Sequence, residues 1–176
     1  MDKPARALLF DWGDTLMADD PAYSGPMVDW PMVSALPGVA ETLETLQADW
    51  LLAVATNAAD SSEPQIRAAL ERVDLADFLS KIYCYHNVGS KKPSQEFFQF
   101  ILSDLHLPAS AVIMVGDHYE IDILGSNRAG LRAVWLNTKN LETPWSDLIR
   151  TVHSFGSIPE VLADWERSSP PVRYGA

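Results

Sequence analysis

A chain of 176 residues with 47% apolar side chains is long enough to bury one substantial core and too apolar to stay unfolded. Its 13 basic residues against 24 acidic ones give a net charge of −11. A field of that sign repels phosphate backbones and anionic lipid, so neither nucleic acid nor a membrane is expected as a partner. Cys84 is the only cysteine, which excludes an internal disulfide and reads as an inert buried thiol. Lys3 and Arg6 precede no long apolar stretch and no run reaches membrane-spanning length, so no signal peptide and a cytoplasmic location are expected.

Ala7 to Phe10 is a short apolar run, the pattern of a strand covered on both faces. It stops at Asp11, and Gly13, Asp14 and Thr15 turn the chain. A carboxylate at the carboxyl end of a buried strand sits where open α/β sheets place their chemistry, although a turn or cap aspartate would look the same. Residues 16–36 form a loop too long for a routine connection, and its Tyr23 and Trp30 either fold over a site or pad the core. A helix is expected over 39–48, with Val39, Leu43 and Leu46 inward, then a strand over 51–55 that ends at Thr56 and Asn57. Ser62 with Gln65 makes a capping box for a helix to about Val73. A third strand is expected over 82–85, followed by a polar turn and a helix from Pro93 and Ser94 that buries Phe97, Ile101 and Leu105. Strand 111–115 runs into the sequence GDHYEID, and a helix over 121–129 is closed by Gly130 as a left-handed cap. Strand 132–136, a last strand near 151–154 and a helix from Ser157 to about Trp165 complete the pattern, with residues 168–176 as a frayed tail. Alternating strands and helices make an α/β fold with a parallel sheet, a single domain over 1–167 in which 17–36 is a loop insertion.

Four segments following strands carry groups that chemistry can use: Asp11, Thr56, the pair Lys91 and Lys92, and Asp117 with Asp122 five residues on. A parallel sheet brings them to one edge. Adjacent carboxylates from Asp11 and Asp117 repel, and a hard divalent cation relieves the repulsion. A lysine supplies positive charge to a transferring phosphoryl group, and a threonine hydroxyl holds its oxygens. Asp11 is then placed to attack phosphorus and form an aspartyl phosphate that water hydrolyses. The dinucleotide and P-loop glycine motifs are absent, and His86, His106, His118 and His153 lack zinc-ligand spacing. His118 reads as a rim residue beside Asp117, with a role as ligand or proton carrier the weaker alternative.

With these motifs in place, nearly the whole chain resembles the haloacid dehalogenase-like hydrolase superfamily. The motifs are DWGDTL at Asp11 to Leu16, Thr56 closing LLAVAT, GSKKPSQEFF, and VGDHYEIDILGSNRAGLRAVWL containing Asp117 and Asp122. In the third motif Lys92, before Pro93, is the better match and Lys91 the alternative. The resemblance implies a three-layer α/β/α Rossmannoid fold whose parallel sheet has at least five strands, ordered 5-4-1-2-3. It implies Asp11 as nucleophile, and Mg²⁺ held by Asp11, the Gly13 backbone carbonyl and Asp117, with Asp122 supporting the metal from behind. Thr56 and Lys92 would bind the phosphoryl group, and Asn57 and His118 are expected to add substrate contacts.

One departure matters. Phosphatases of this kind carry a second aspartate two residues after the nucleophile, which protonates the leaving alcohol and then activates water. Here that position is Gly13, and Asp14 follows it. Such proton transfer contributes about 10²–10⁴-fold. Asp14, His118 or a substrate group must replace it, or the leaving group needs little protonation, or turnover is poor. The short span 17–36 also resembles the capless subgroup, whose open site suits a bulky or macromolecular phosphorylated substrate. The expected function is therefore an Mg²⁺-dependent phosphohydrolase. The alternatives are a weakly active or inactive binding module and, behind it, a metal-independent dehalogenase-type hydrolase.

Overall fold

The computed structural model describes residues 5–144 and 146–168. The tail expected over 168–176 lies outside them, apart from Ser168, which closes the last helix. Strands β1 (Ala7–Phe10), β2 (Leu51–Ala55), β3 (Lys81–Tyr83), β4 (Val112–Gly116), β5 (Arg132–Leu136) and β6 (Ile149–Val152) form one parallel sheet. Their order is β3-β2-β1-β4-β5-β6. This is the expected five-strand order read from the other edge, with β6 added outside β5.

Each central strand is buried on both faces, so alternate residues enter two separate cores. Leu8, Phe10, Leu52, Val54, Ile113 and Val115 meet apolar residues of α1 (Val39–Leu46), α2 (Glu63–Glu71) and α6 (Ile158–Ser168). Ala7, Leu9, Ala53, Ala55, Val112 and Met114 meet Phe97, Phe98 and Ile101 of α4 (Gln95–Leu105). The result is three layers, helices on both sides of the sheet, as parallel strands require.

Several boundaries shift for local reasons. The expected capping box forms: the Ser62 N–H donates to Gln65 Oε1 at 2.9 Å, and α2 starts at Glu63. The third strand ends at Tyr83, two residues early, because Cys84 leaves the sheet and precedes a helical turn, α3 (Tyr85–Val88). Asn87 closes that turn by accepting the Cys84 N–H at 2.9 Å, so part of the expected polar turn is helical. The helix expected over 121–129 begins earlier, as a π-helical turn over Tyr119–Leu124 leading into α5 (Gly125–Arg128). The last strand lies two residues before its expected place.

Residues 17–36 are pinned at their base. The Ala18 N–H donates to Ser34 O at 3.0 Å and the Leu36 N–H to Leu16 O at 3.0 Å. Between these ends lies a 3₁₀ turn over Met27–Asp29. Trp30 is buried, packs at a tilt against Tyr23 with ring centroids 5.5 Å apart, and donates its Nε1–H to Gly25 O at 3.0 Å.

Candidate active site

All strands run the same way, so Asp11, Thr56 and Asp117 emerge together where β1, β2 and β4 end. The Asp11 N–H continues the ladder by donating to Val115 O at 2.9 Å, which fixes the start of its side chain. Lys92 arrives from the segment before α4 and is buried, its side chain 1% exposed. Its Nζ donates to Asp11 Oδ1 and to Asp122 Oδ1, both at 2.7 Å. Lys92, not Lys91, is therefore the lysine at the site; Lys91 lies over the Tyr85 ring. Burial pushes the Lys92 ammonium down, but Asp11 and Asp122 outweigh it and hold the group above the ordinary lysine value.

Asn57 holds Lys92 in place through the backbone. Its Nδ2–H donates to Lys92 O at 2.8 Å and its Oδ1 accepts the Lys92 N–H at 2.8 Å. Expected to contact substrate, Asn57 spends its amide on positioning the lysine. Asp122 is equally committed: Oδ1 takes Lys92, and Oδ2 accepts the His118 N–H at 3.1 Å. Thr56 is buried and its Oγ1 accepts the Ala58 N–H at 3.1 Å, which bends the chain around the end of β2.

Oxygen atoms of Asp11, Asp117 and Asp122 lie within 4.8 Å of one another. Three carboxylates against one ammonium leave two negative charges in a largely buried place. Burial raises the Asp11 carboxyl to about 7 against the pull of Lys92, with Asp122 and Asp117 adding to the rise. Burial and Asp122 likewise raise Asp117, while the Thr15 hydroxyl, 3.3 Å from its Oδ1, opposes them. This hard-oxygen donor set, short of positive charge, fits a divalent cation such as Mg²⁺. Since both Asp122 oxygens are engaged, Asp11 and Asp117 are the carboxylates suited to direct ligation.

Above Asp11 opens a cleft of about 280 Å³. Trp12, Gly13, Thr56, Asn57, Met27 and Trp30 line it, together with Asp19 and Asp60. Met27 and Trp30 come from the 17–36 loop, so its apolar residues wall the cleft as well as fill the core. Asp14, considered from the sequence as a stand-in acid, is occupied elsewhere. It is exposed, adopts a left-handed backbone (φ 56°), and its Oδ1 accepts the Asp19 N–H at 3.0 Å. His118 lines a separate hollow with Asp117, Tyr119 and Trp135, and its Nδ1 accepts the Ile121 N–H at 3.4 Å. Asp19 was not singled out from the sequence. It follows Asp14 by five residues in an acidic loop, and no spacing rule ties it to Asp11.

A three-layer parallel fold with a carboxylate pair, a buried lysine and a threonine at the strand ends defines a hydrolase-type site of the Rossmannoid class. The chain belongs to the haloacid dehalogenase-like hydrolase family, whose model matches residues 20–136. It is 36% identical over 110 residues to a pyrimidine 5'-nucleotidase, YjjG, of Escherichia coli, an alignment covering 62% of this chain and 48% of the relative. It is 34% identical over 123 residues to a ribulose-1,5-bisphosphate 5-phosphatase of Halopiger xanaduensis, covering 69% and 49%. The chain thus aligns with about half the length of these curated relatives. A crystal structure of an uncharacterized protein from Listeria monocytogenes superposes with a TM-score of 0.82 at 26% identity, covering 92% of this chain and 99% of that one. A 2-haloacid dehalogenase from Pseudomonas syringae superposes at 0.73 with 23% identity, covering 91% and 99%, which speaks to the fold alone.

Proposed function

We propose that the protein is a phosphohydrolase that passes a phosphoryl group first to Asp11 and then to water. The observation carrying this reading is the grip of Lys92 on Asp11 at 2.7 Å, within reach of Asp117 and at the floor of an open cleft. The phosphatase names of the relatives support it. Lys92 and Asp122 orient the Asp11 carboxylate so that Oδ1 is held and the other oxygen is presented for attack. Thr56 and neighbouring backbone N–H groups bind the phosphoryl oxygens. A Mg²⁺ ion held by Asp11, the Gly13 carbonyl and Asp117 would neutralise charge on the phosphoryl group. The whole-protein substrate is a phosphate monoester, in a cleft open enough to admit a bulky leaving group.

The test is a panel of alkyl, aryl and acyl phosphates assayed with Mg²⁺ and with excess chelator, on wild type and Asp11→Asn. Turnover that needs Mg²⁺ and vanishes in Asp11→Asn is expected, with acid-stable phosphate trapped on the wild-type chain alone. Unchanged rates in Asp11→Asn would refute the reading. Gly13 favours a second reading, a metal-binding module without turnover; it predicts Mg²⁺ affinity and no hydrolysis across the same panel.

A further inference from the structure

Gly13 has no side chain, yet the space beside it is filled. A Cβ built on Gly13 would lie 3.3 Å from the Asp19 Cβ, 3.5 Å from its Cγ and 3.4 Å from its Oδ2. The carboxyl of Asp19 thus lies in contact with the position from which a side chain on residue 13 would start. The loop's own pairing holds it there. Met17 bridges both Gly13 and Ala35, the Asp14 N–H donates to Met17 O at 2.7 Å, and Asp14 Oδ1 accepts the Asp19 N–H at 3.0 Å. The chain from 13 to 19 is therefore a closed turn that brings its two ends together. Asp19 then lines the same cleft as Asp11, Gly13 and Thr56. Neither Asp14 nor His118 lines that cleft among the described residues.

We propose that Asp19 is the general acid and base of this site, its carboxyl serving in place of the side chain that Gly13 lacks. The inference rests on the phosphoryl-transfer reading. In the first step an Asp11 oxygen bonds to phosphorus and the ester P–O bond breaks. Its electron pair stays on the leaving oxygen, which takes the proton from the Asp19 carboxyl. In the second step the Asp19 carboxylate accepts a proton from water as the water oxygen bonds to phosphorus. The Asp11–phosphorus bond breaks, its electron pair returns to the Asp11 carboxylate, and Asp19 is again protonated.

The experiment compares Asp19→Asn with wild type, under rapid mixing with Mg²⁺, on 4-nitrophenyl phosphate and on the best alkyl phosphate of the panel. Nitrophenolate leaves without a proton, whereas an alkoxide needs one. The variant is expected to keep the nitrophenolate burst within about threefold of wild type while steady turnover falls about 10²–10⁴-fold and phosphoenzyme accumulates; on the alkyl ester the burst itself is lost. The retained burst also reports a folded site. Equal loss of the burst on both esters, or alkyl-ester turnover in Asp19→Asn within about threefold of wild type, overturns the assignment. So does a wild-type protein that hydrolyses aryl but no alkyl phosphates. Each of these results leaves the phosphohydrolase reading standing, whereas activity surviving in Asp11→Asn removes that reading itself.

Discussion

Lys92 is a buried cation whose placement depends on Asp11, on Asp122 and on the backbone clamp of Asn57. Removing either partner of such a pair leaves an uncompensated charge and costs about 3–5 kcal/mol, so the ammonium, Asp11 and Asp122 act as one unit. Gly116 is the least obvious member. A Cβ there would come within 2.6 Å of the Asp122 Cβ and closer to its carboxyl group. The absence of a side chain lets Asp122 lie against the end of β4 and reach Lys92. Gly116→Ala is expected to displace Asp122, loosen Lys92 and lower kcat/KM and Mg²⁺ affinity about 10–100-fold, the scale seen when groups supporting a ligand are lost. Steady-state kinetics against Mg²⁺ concentration check this; an unchanged Mg²⁺ dependence would show that the Asp122 contact is dispensable.

The site also depends on elements that hold its walls. The 17–36 loop has its apolar side in the core and its tip tied to the end of α2. Arg72 follows α2 and donates through Nη1 to Val28 O at 2.9 Å and Trp30 O at 2.7 Å, and through Nη2 to Pro31 O at 3.3 Å. A guanidinium presents five donors in a rigid planar fork, so it fixes the geometry of several carbonyls more firmly than a flexible lysine ammonium does. Arg72→Ala is expected to lower stability by about 1.5 kcal/mol, the lower end of the range for hydrogen bonds to a charged group, because two of the three bonds are exposed. Amide exchange over residues 27–31 is expected to quicken while exchange in β1 and β4 stays slow. Exchange that is uniform across the chain would show that Arg72 supports the whole fold instead of the loop. Since Met27 and Trp30 wall the cleft, KM is expected to rise more than kcat falls.

At the scale of the whole molecule, charge opposes the proposed substrate. The chain carries −11, and Asp19 and Asp60 line the cleft with no lysine or arginine among its described lining residues. An anionic ester therefore approaches against a repulsive field. Raising ionic strength from low salt is expected to increase kcat/KM for a monophosphate, because the Debye length shrinks to about 8 Å at 0.15 M. A bisphosphate of similar size is expected to be the poorer substrate, since its second phosphate meets the acidic wall. Initial rates against salt concentration decide the point: a fall in kcat/KM with salt would show that net attraction governs encounter. Among the described residues no helix is long and apolar enough to cross a membrane.

The amino-acid sequence by itself determined the parallel α/β sheet and the strand-end residues Asp11, Thr56 and Asp117, because these follow from local apolar runs that stop at polar residues. The capping box at Ser62 was legible because its signal is equally local. The strand order came with the family resemblance, and the geometry decided between Lys91 and Lys92. Tertiary structure alone decided what depends on residues distant in the chain or on space left empty. Asn57 clamps a backbone 35 residues away, Asp122 is drawn in by the bare Gly116, and Asp14 turns to cap a loop instead of facing the cleft. Asp19 shows the limit most clearly: a glycine gives no signal of which neighbour will pack beside it, and only the closure of the 13–19 turn brings a carboxyl against Gly13.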